Sequence, residues 1–160
     1  MSDDNAQPQG MPQPDPALKR LDRLAGTWSM KGHLIGSSEE NIIGRTTFEW
    51  LAGGFFMQQD VEIDFAGMFH IQSRELIGYD SETKGFSSSV YSNLSPMPLP
   101  YKWDLQDDTL TISVAYGPLD ATFKGKFSKD GKSFSGSWRP NPGADETVNA
   151  PYDIGGTRIT

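Results

Sequence analysis

From Gly26 onward, apolar and polar residues alternate with a period of two, and turn signals interrupt the pattern at short intervals. That is the strand period, because successive side chains leave a strand on opposite faces. Trp28, Met30 and Leu34 share one face of a first strand, with Thr27, Ser29, Lys31 and His33 on the other. A second strand covers roughly 41–51 and stops at Gly53-Gly54. The third is the clearest: Phe55, Met57, Val61 and Ile63 alternate with Phe56, Gln58, Asp60, Glu62 and Asp64. Further strands fall near 68–79, 86–92, 101–105, 110–116, 121–127, 133–139 and 152–160, with polar or Pro-rich turns between them. The segment 95–100 carries three prolines, which cannot donate to a ladder, and so reads as a loop or an edge.

Ahead of the strands the period is three. Asp15 can cap a helix, Pro16 suits its first turn, and Leu18, Leu21 and Leu24 form a stripe. A helix this short is marginal alone, so the stripe must pack on something; one end of a barrel would serve. Residues 1–15 are rich in Pro, Gln, Asp and Gly and read as a disordered tail, which leaves 16–160 as the folded domain. No helix is long enough for a βαβ crossover, so about ten sequential strands must pair antiparallel. Closure removes exposed edges. The expected fold is all-β: a single up-and-down antiparallel barrel of about ten strands with a short N-terminal helix.

A chain of 160 residues fits one domain. Its formal charge is 14 − 21 = −7; Asp3, Asp4 and Asp15 supply three negative charges and leave −4 on the body. Such a surface repels phosphate backbones and anionic bilayers, so neither nucleic acid nor membrane is an expected partner. The chain has no cysteine, which excludes disulfides, thiolate nucleophiles and cysteine-based metal sites. The sequence begins without the basic and apolar regions of a signal peptide, and the expected location is cytoplasmic.

Leu21-Asp-Arg-Leu-Ala-Gly-Thr-Trp28 resembles the opening of lipocalin-like (calycin) barrels, where a short helix precedes a Gly-x-Trp on the first strand. The resemblance implies that an Arg of the last strand lies across the Trp ring and seals the barrel bottom; Arg158 stands at that place. Glu49-Trp-Leu-Ala-Gly-Gly54 and Leu76-Ile-Gly-Tyr-Asp80 are similar to a bacterial family of small barrels known only as a domain of unknown function. The likeness covers 18–160 and implies a fold without an established chemistry. More distantly, the chain is similar to nitrobindin-type barrels, which bind haem through a His of a C-terminal strand. This sequence has no His after His70, so neither haem nor another cofactor is expected.

Catalytic motifs fail one by one. Gly131-Lys-Ser133 sits in a hairpin and lacks the upstream Gly of a phosphate loop, where Lys126 stands instead. No Gly-x-Ser-x-Gly elbow exists, and two histidines do not make a zinc site. No catalytic residue and no metal ligand is assigned, and binding is expected rather than catalysis. Gln59 has the parity of the apolar face, so its amide needs an interior partner: a polar side chain, a water or a ligand. Trp103, Trp138, Tyr79, Tyr91 and His70 complete the candidate ligand-binding set; Trp103, Trp138, Tyr91, Tyr101 and Tyr116 could line a cavity for a planar or acyl ligand or equally fill a core. On the fourth strand Phe69, Ile71, Ile77 and Tyr79 oppose Met68, His70, Gln72, Arg74 and Leu76. A bulge between Gln72 and Leu76 would reverse this locally, and either Arg74 or Glu75 would then point inward. The expected function is binding of a small hydrophobic or amphipathic ligand inside the barrel. The rivals are a filled, structural barrel that pairs as a homodimer, and an isomerase or hydrolase using His70 or Glu75.

Overall fold

The structure is a computed structural model that describes residues 10–160. The disordered tail expected over 1–15 therefore lies, for 1–9, outside the described residues. Ten strands follow in chain order: β1 (Gly26–Leu34), β2 (Ile42–Trp50), β3 (Phe56–Phe65), β4 (Phe69–Asp80), β5 (Gly85–Ser92), β6 (Leu99–Gln106), β7 (Thr109–Tyr116), β8 (Leu119–Phe127), β9 (Ser133–Pro140) and β10 (Tyr152–Arg158). Each pairs antiparallel with its sequence neighbours, and β1 also pairs with β10, so the sheet closes into a barrel. No helix among the described residues is long and apolar enough to cross a membrane.

The N-terminal helix is a 3₁₀ helix over Pro16–Leu24, with Asp15 accepting a hydrogen bond from the Ala17 amide at 2.9 Å. This geometry explains the leucine spacing. At three residues per turn, Leu18, Leu21 and Leu24 lie directly above one another, and all three are buried. They cover the barrel end where β1 begins and β10 finishes. Trp28, fully buried there, donates its indole N–H to the Leu24 carbonyl at 2.8 Å. The Arg158 guanidinium lies 4.3 Å over the Trp28 ring and donates to the carbonyls of Ala25 and Arg23. The pairing implied by the resemblance is thus present. Two further guanidiniums repeat the device: Arg23 sits 4.2 Å over Phe127, and Arg20 sits 5.0 Å over Phe86. Arg20 also donates to the Leu105 carbonyl, and Arg23 to that of Asp107.

Parity holds along the strands. Even positions of β1 and odd positions of β3 face inward, which buries Trp28, Met30, Met57 and Ile63. Closing a small barrel requires tight coiling, and inward glycines permit it. A Cβ on Gly44 would sit 2.0 Å from the Glu62 carbonyl oxygen, and one on Gly32 would sit 2.0 Å from that of Asp153. The β3–β4 ladder runs unbroken from Phe56↔Gly78 to Phe65↔Phe69, so β4 has no bulge. Unbroken parity sends Glu75 inward with Ile71, Ser73 and Ile77, and Arg74 outward to Asp60 at 2.8 Å.

Candidate functional site

Among the described residues, one carboxyl side chain stands in the interior, away from the sealed end. Glu75 is 7 % exposed, beside Ile77 on β4 and directly across the ladder from Gln59 on β3. Its Oε2 accepts two hydrogen bonds, from the Ser88 hydroxyl of β5 at 2.5 Å and from the Trp103 indole N–H of β6 at 2.7 Å. Trp103 is held edge-on to Phe48 at 6.3 Å. Burial disfavours the carboxylate and pushes the Glu75 pKa from 4.5 to about 7, against the pull of the Ser88 and Trp103 donors. The site is thus balanced between acid and base near neutrality.

The two oxygens of Glu75 are unequal. Oε2 takes both donors, whereas Oε1 has no protein partner among the described residues and yet is not sealed in: the one fully enclosed side-chain atom without a hydrogen bond is Asn41 Oδ1. A proton on Glu75 therefore belongs on Oε1. Neutral Glu75 offers a donor to the interior, and ionised Glu75 offers an acceptor. Gln59 repeats the pattern: its Nε2 donates to Thr46 Oγ1 at 2.9 Å, and its Oε1 is left without a protein partner. The Tyr101 and Tyr152 hydroxyls and the Trp138 indole N–H likewise have none among the described residues. Burial and the charge of Glu75 push the Tyr101 pKa up to about 12; burial and then Tyr101 push that of Tyr152 up as well. Glu75, Tyr101 and Tyr152 thus form one polar tract running from β4 to β10.

This tract leads toward the end opposite the helix. Inward residues there, among them Ile71, Ser73, Val90, Tyr101, Trp138 and Tyr152, keep partial exposure, and Phe69 is 42 % exposed. Aromatic rings pack on one another there: Tyr101 stands edge-on to Trp138 at 6.2 Å, Trp138 leans on Phe123 at 5.7 Å, and Tyr152 meets Phe65 at 4.9 Å. One end of the barrel is capped by leucines and guanidiniums, and at the other the inward side chains are polar and aromatic and partly exposed.

The candidates read from the sequence divide accordingly. Gln59, Trp103 and Trp138 all face the barrel interior, Gln59 and Trp103 beside Glu75 and Trp138 against Tyr101 and Phe123. Tyr79 also faces inward, but it packs edge-on to Phe86 near the capped end. His70 and Tyr91 require correction as interior ligands. Both have outward parity, and both are exposed, His70 opposite Asp64 and Tyr91 opposite Arg74. Tyr91 instead lines an outer groove of about 730 Å³ beneath the 93–98 loop, together with Arg45, Asp60, Glu62, Arg74 and Met97. None of Gln59, Glu75, Ser88, Trp103 or Trp138 touches that groove, and its Arg74 and Asp60 already neutralise each other. Sequence reading missed Ser88 and placed Glu75 only as one of two alternatives. The signal for Glu75 was its parity with Ile71 and Ile77; Ser88, in a run of three serines, gave none. Among the described residues no group of three or more His, Asp or Glu side chains could hold a metal ion.

Two solved structures are similar to the chain in fold or outline. Rv2717c from M. tuberculosis superposes with a TM-score of 0.58 at 12 % identity, covering 92 % of this chain and 100 % of that one. A de novo designed fluorescence-activating β-barrel matches with a TM-score of 0.47 at 10 % identity, over 86 % of this chain and 94 % of the design. No curated protein matches. The sequence itself matches the family model described as "Protein of unknown function (DUF1579)" over residues 13–129. That span is most of the chain, and the protein belongs to the DUF1579 family.

Proposed function

We propose that the protein binds a small amphipathic molecule inside the barrel, entering by the end opposite the helix. The observation that carries this reading is Glu75, an inward carboxyl 7 % exposed whose Oε2 takes both donors while Oε1, not fully enclosed, has no protein partner among the described residues. Buried polar atoms are otherwise satisfied in folded proteins, and a site is commonly an apolar hollow with a few convergent polar groups. Gln59, Tyr101 and Tyr152 supply those groups, and Trp103 and Trp138 supply apolar faces. Haem does not fit the reading, because His33 and His70 both lie on outward positions and no other His exists. Native and denaturing mass spectra of the purified protein test the proposal. An extra mass that leaves on denaturation supports it, and an unliganded mass together with no ligand-induced change in Trp emission across a panel of amphiphiles overturns it.

Association of two copies through the outer face is a second reading, favoured by the exposure of Tyr91, Leu94 and Met97 around the 93–98 loop, each 54 % exposed. Sedimentation of the native protein and of Tyr91→Lys decides it: a dimer that the substitution dissolves supports it, and a native monomer removes it.

A further inference from the structure

A census of interior charge narrows the ligand. Among the described residues, the inward positions between the sealed end and the mouth hold one carboxyl, Glu75, and no cation. Lys31, Arg45, Arg74, Lys102, Lys124, Lys126 and Arg139 all take outward parity, as do both histidines. Arg158 does face inward, but at the capped end, with its guanidinium spent on the Trp28 ring and the carbonyls of Ala25 and Arg23. A carboxylate or phosphate head group would find no counter-ion here and would face Glu75 in a medium of low dielectric, where like charges repel strongly.

A protonated nitrogen meets the opposite situation. Glu75 Oε1 is a free acceptor, and a charge-assisted N⁺–H···O⁻ bond is about twice as strong as a neutral one. The interior suits a cation too: the rings of Tyr101 and Trp138, edge-on to each other at 6.2 Å, both lie on inward positions, and aromatic faces attract ammonium groups. Gln59 Oε1, without a protein partner, lies across the ladder to accept a second N–H. On the reading of the interior as a binding site, we infer that its ligand is an amphipathic amine, seated with its nitrogen on Glu75 Oε1 and its apolar body toward the mouth.

The groups packed around Glu75 set the pH behaviour. Gln59 from β3 and Ser88 from β5 do not titrate in the working range, and Trp103 from β6 not at all. The phenols of Tyr101 (β6) and Tyr152 (β10) are held neutral by their raised values. Glu75 alone changes charge between mildly acidic and mildly alkaline pH, with its midpoint at about 7. Amine binding therefore strengthens as Glu75 ionises and weakens in acid.

The test compares decylamine, decanol and decanoate, matched in chain length, by titration calorimetry with Trp emission recorded alongside, at a pH of about 8 where both partners are charged. The amine should bind about tenfold tighter than the alcohol or more, with decanoate weakest, and Glu75→Gln should remove the amine's advantage. Equal binding of the three, or tighter binding of decanol or decanoate, overturns the amine and leaves the barrel reading standing. So does an amine whose affinity is unchanged in Glu75→Gln, since it would then sit on the acidic exterior. Failure of all three to bind defeats both. The ranking is read on the native protein, so it stands whether or not the variant folds.

Discussion

Replacing Glu75 with Gln should abolish a loss of stability that the native protein suffers between mildly acidic and alkaline pH. The sign follows from proton binding. Glu75 titrates at 4.5 in the unfolded chain and at about 7 in the barrel, so between those values the native state holds a proton that the unfolded state has released. Its contribution is whole below the unfolded value and is lost as pH rises through the folded one. At 1.36 kcal/mol per pH unit, a rise from 4.5 to about 7 amounts to about 3 kcal/mol, fully lost above neutrality. Gln keeps an oxygen for Ser88 and Trp103 and carries its amide where the proton would sit, so the two proteins should be similarly stable near a pH of about 5. By a pH of about 9 the variant should be more stable by about 3 kcal/mol. Urea unfolding followed by Trp emission across that range measures the difference directly. Parallel curves for the two proteins would refute the burial argument, and with it the assignment of Glu75 as an inward carboxyl held away from water.

Further outcomes follow from the packing. Arg158→Met should cost about 2–4 kcal/mol in urea unfolding, since it removes both carbonyl bonds and the stack on Trp28; Arg158→Lys, which keeps the charge without the fork, should recover less than half. Leu21→Ala should cost about 2–5 kcal/mol, because Leu21 is fully buried between helix and barrel, and a loss below about 1 kcal/mol would mean the helix is not an integral cap. Gly44→Ala should destabilise by about 1–3 kcal/mol or prevent folding, as its Cβ would meet the Glu62 carbonyl oxygen at 2.0 Å and backbone must yield; an unchanged midpoint would show the strands coil less tightly there.

The fold was legible because its signals are local. Period two from Gly26 onward and leucines at a spacing of three need only a few neighbouring residues to be read, and each neighbouring strand pair is joined by a short turn or loop. Trp28 and Arg158 lie at opposite ends of the chain; the resemblance implied their pairing, and an up-and-down barrel, which must bring its first and last strands together, permits it. The site was less legible because it depends on register, which no window along the chain contains. Glu75 faces inward only if the β3–β4 ladder runs without a bulge, and the polar Gln72-Ser-Arg-Glu75 run left that choice open. Its partners depend on two further registers. Ser88 and Trp103 reach Oε2 only because the turn at 81–84 and the loop at 93–98 set β5 and β6 at one height against β4. A shift of one residue in either strand would send Ser88 or Trp103 to the solvent face, and Glu75 would be buried without a donor. Glu75 could not then remain inside as a charge. The same dependence explains why His70 and Tyr91 misled: they are chemically suited to a site, but parity decides which chemistry enters a barrel, and both fall on the outer count. In a barrel of this kind the residues that matter are therefore the polar ones whose parity matches the apolar face. Glu75 and Gln59, paired across β3 and β4, each leave one oxygen without a protein partner among the described residues.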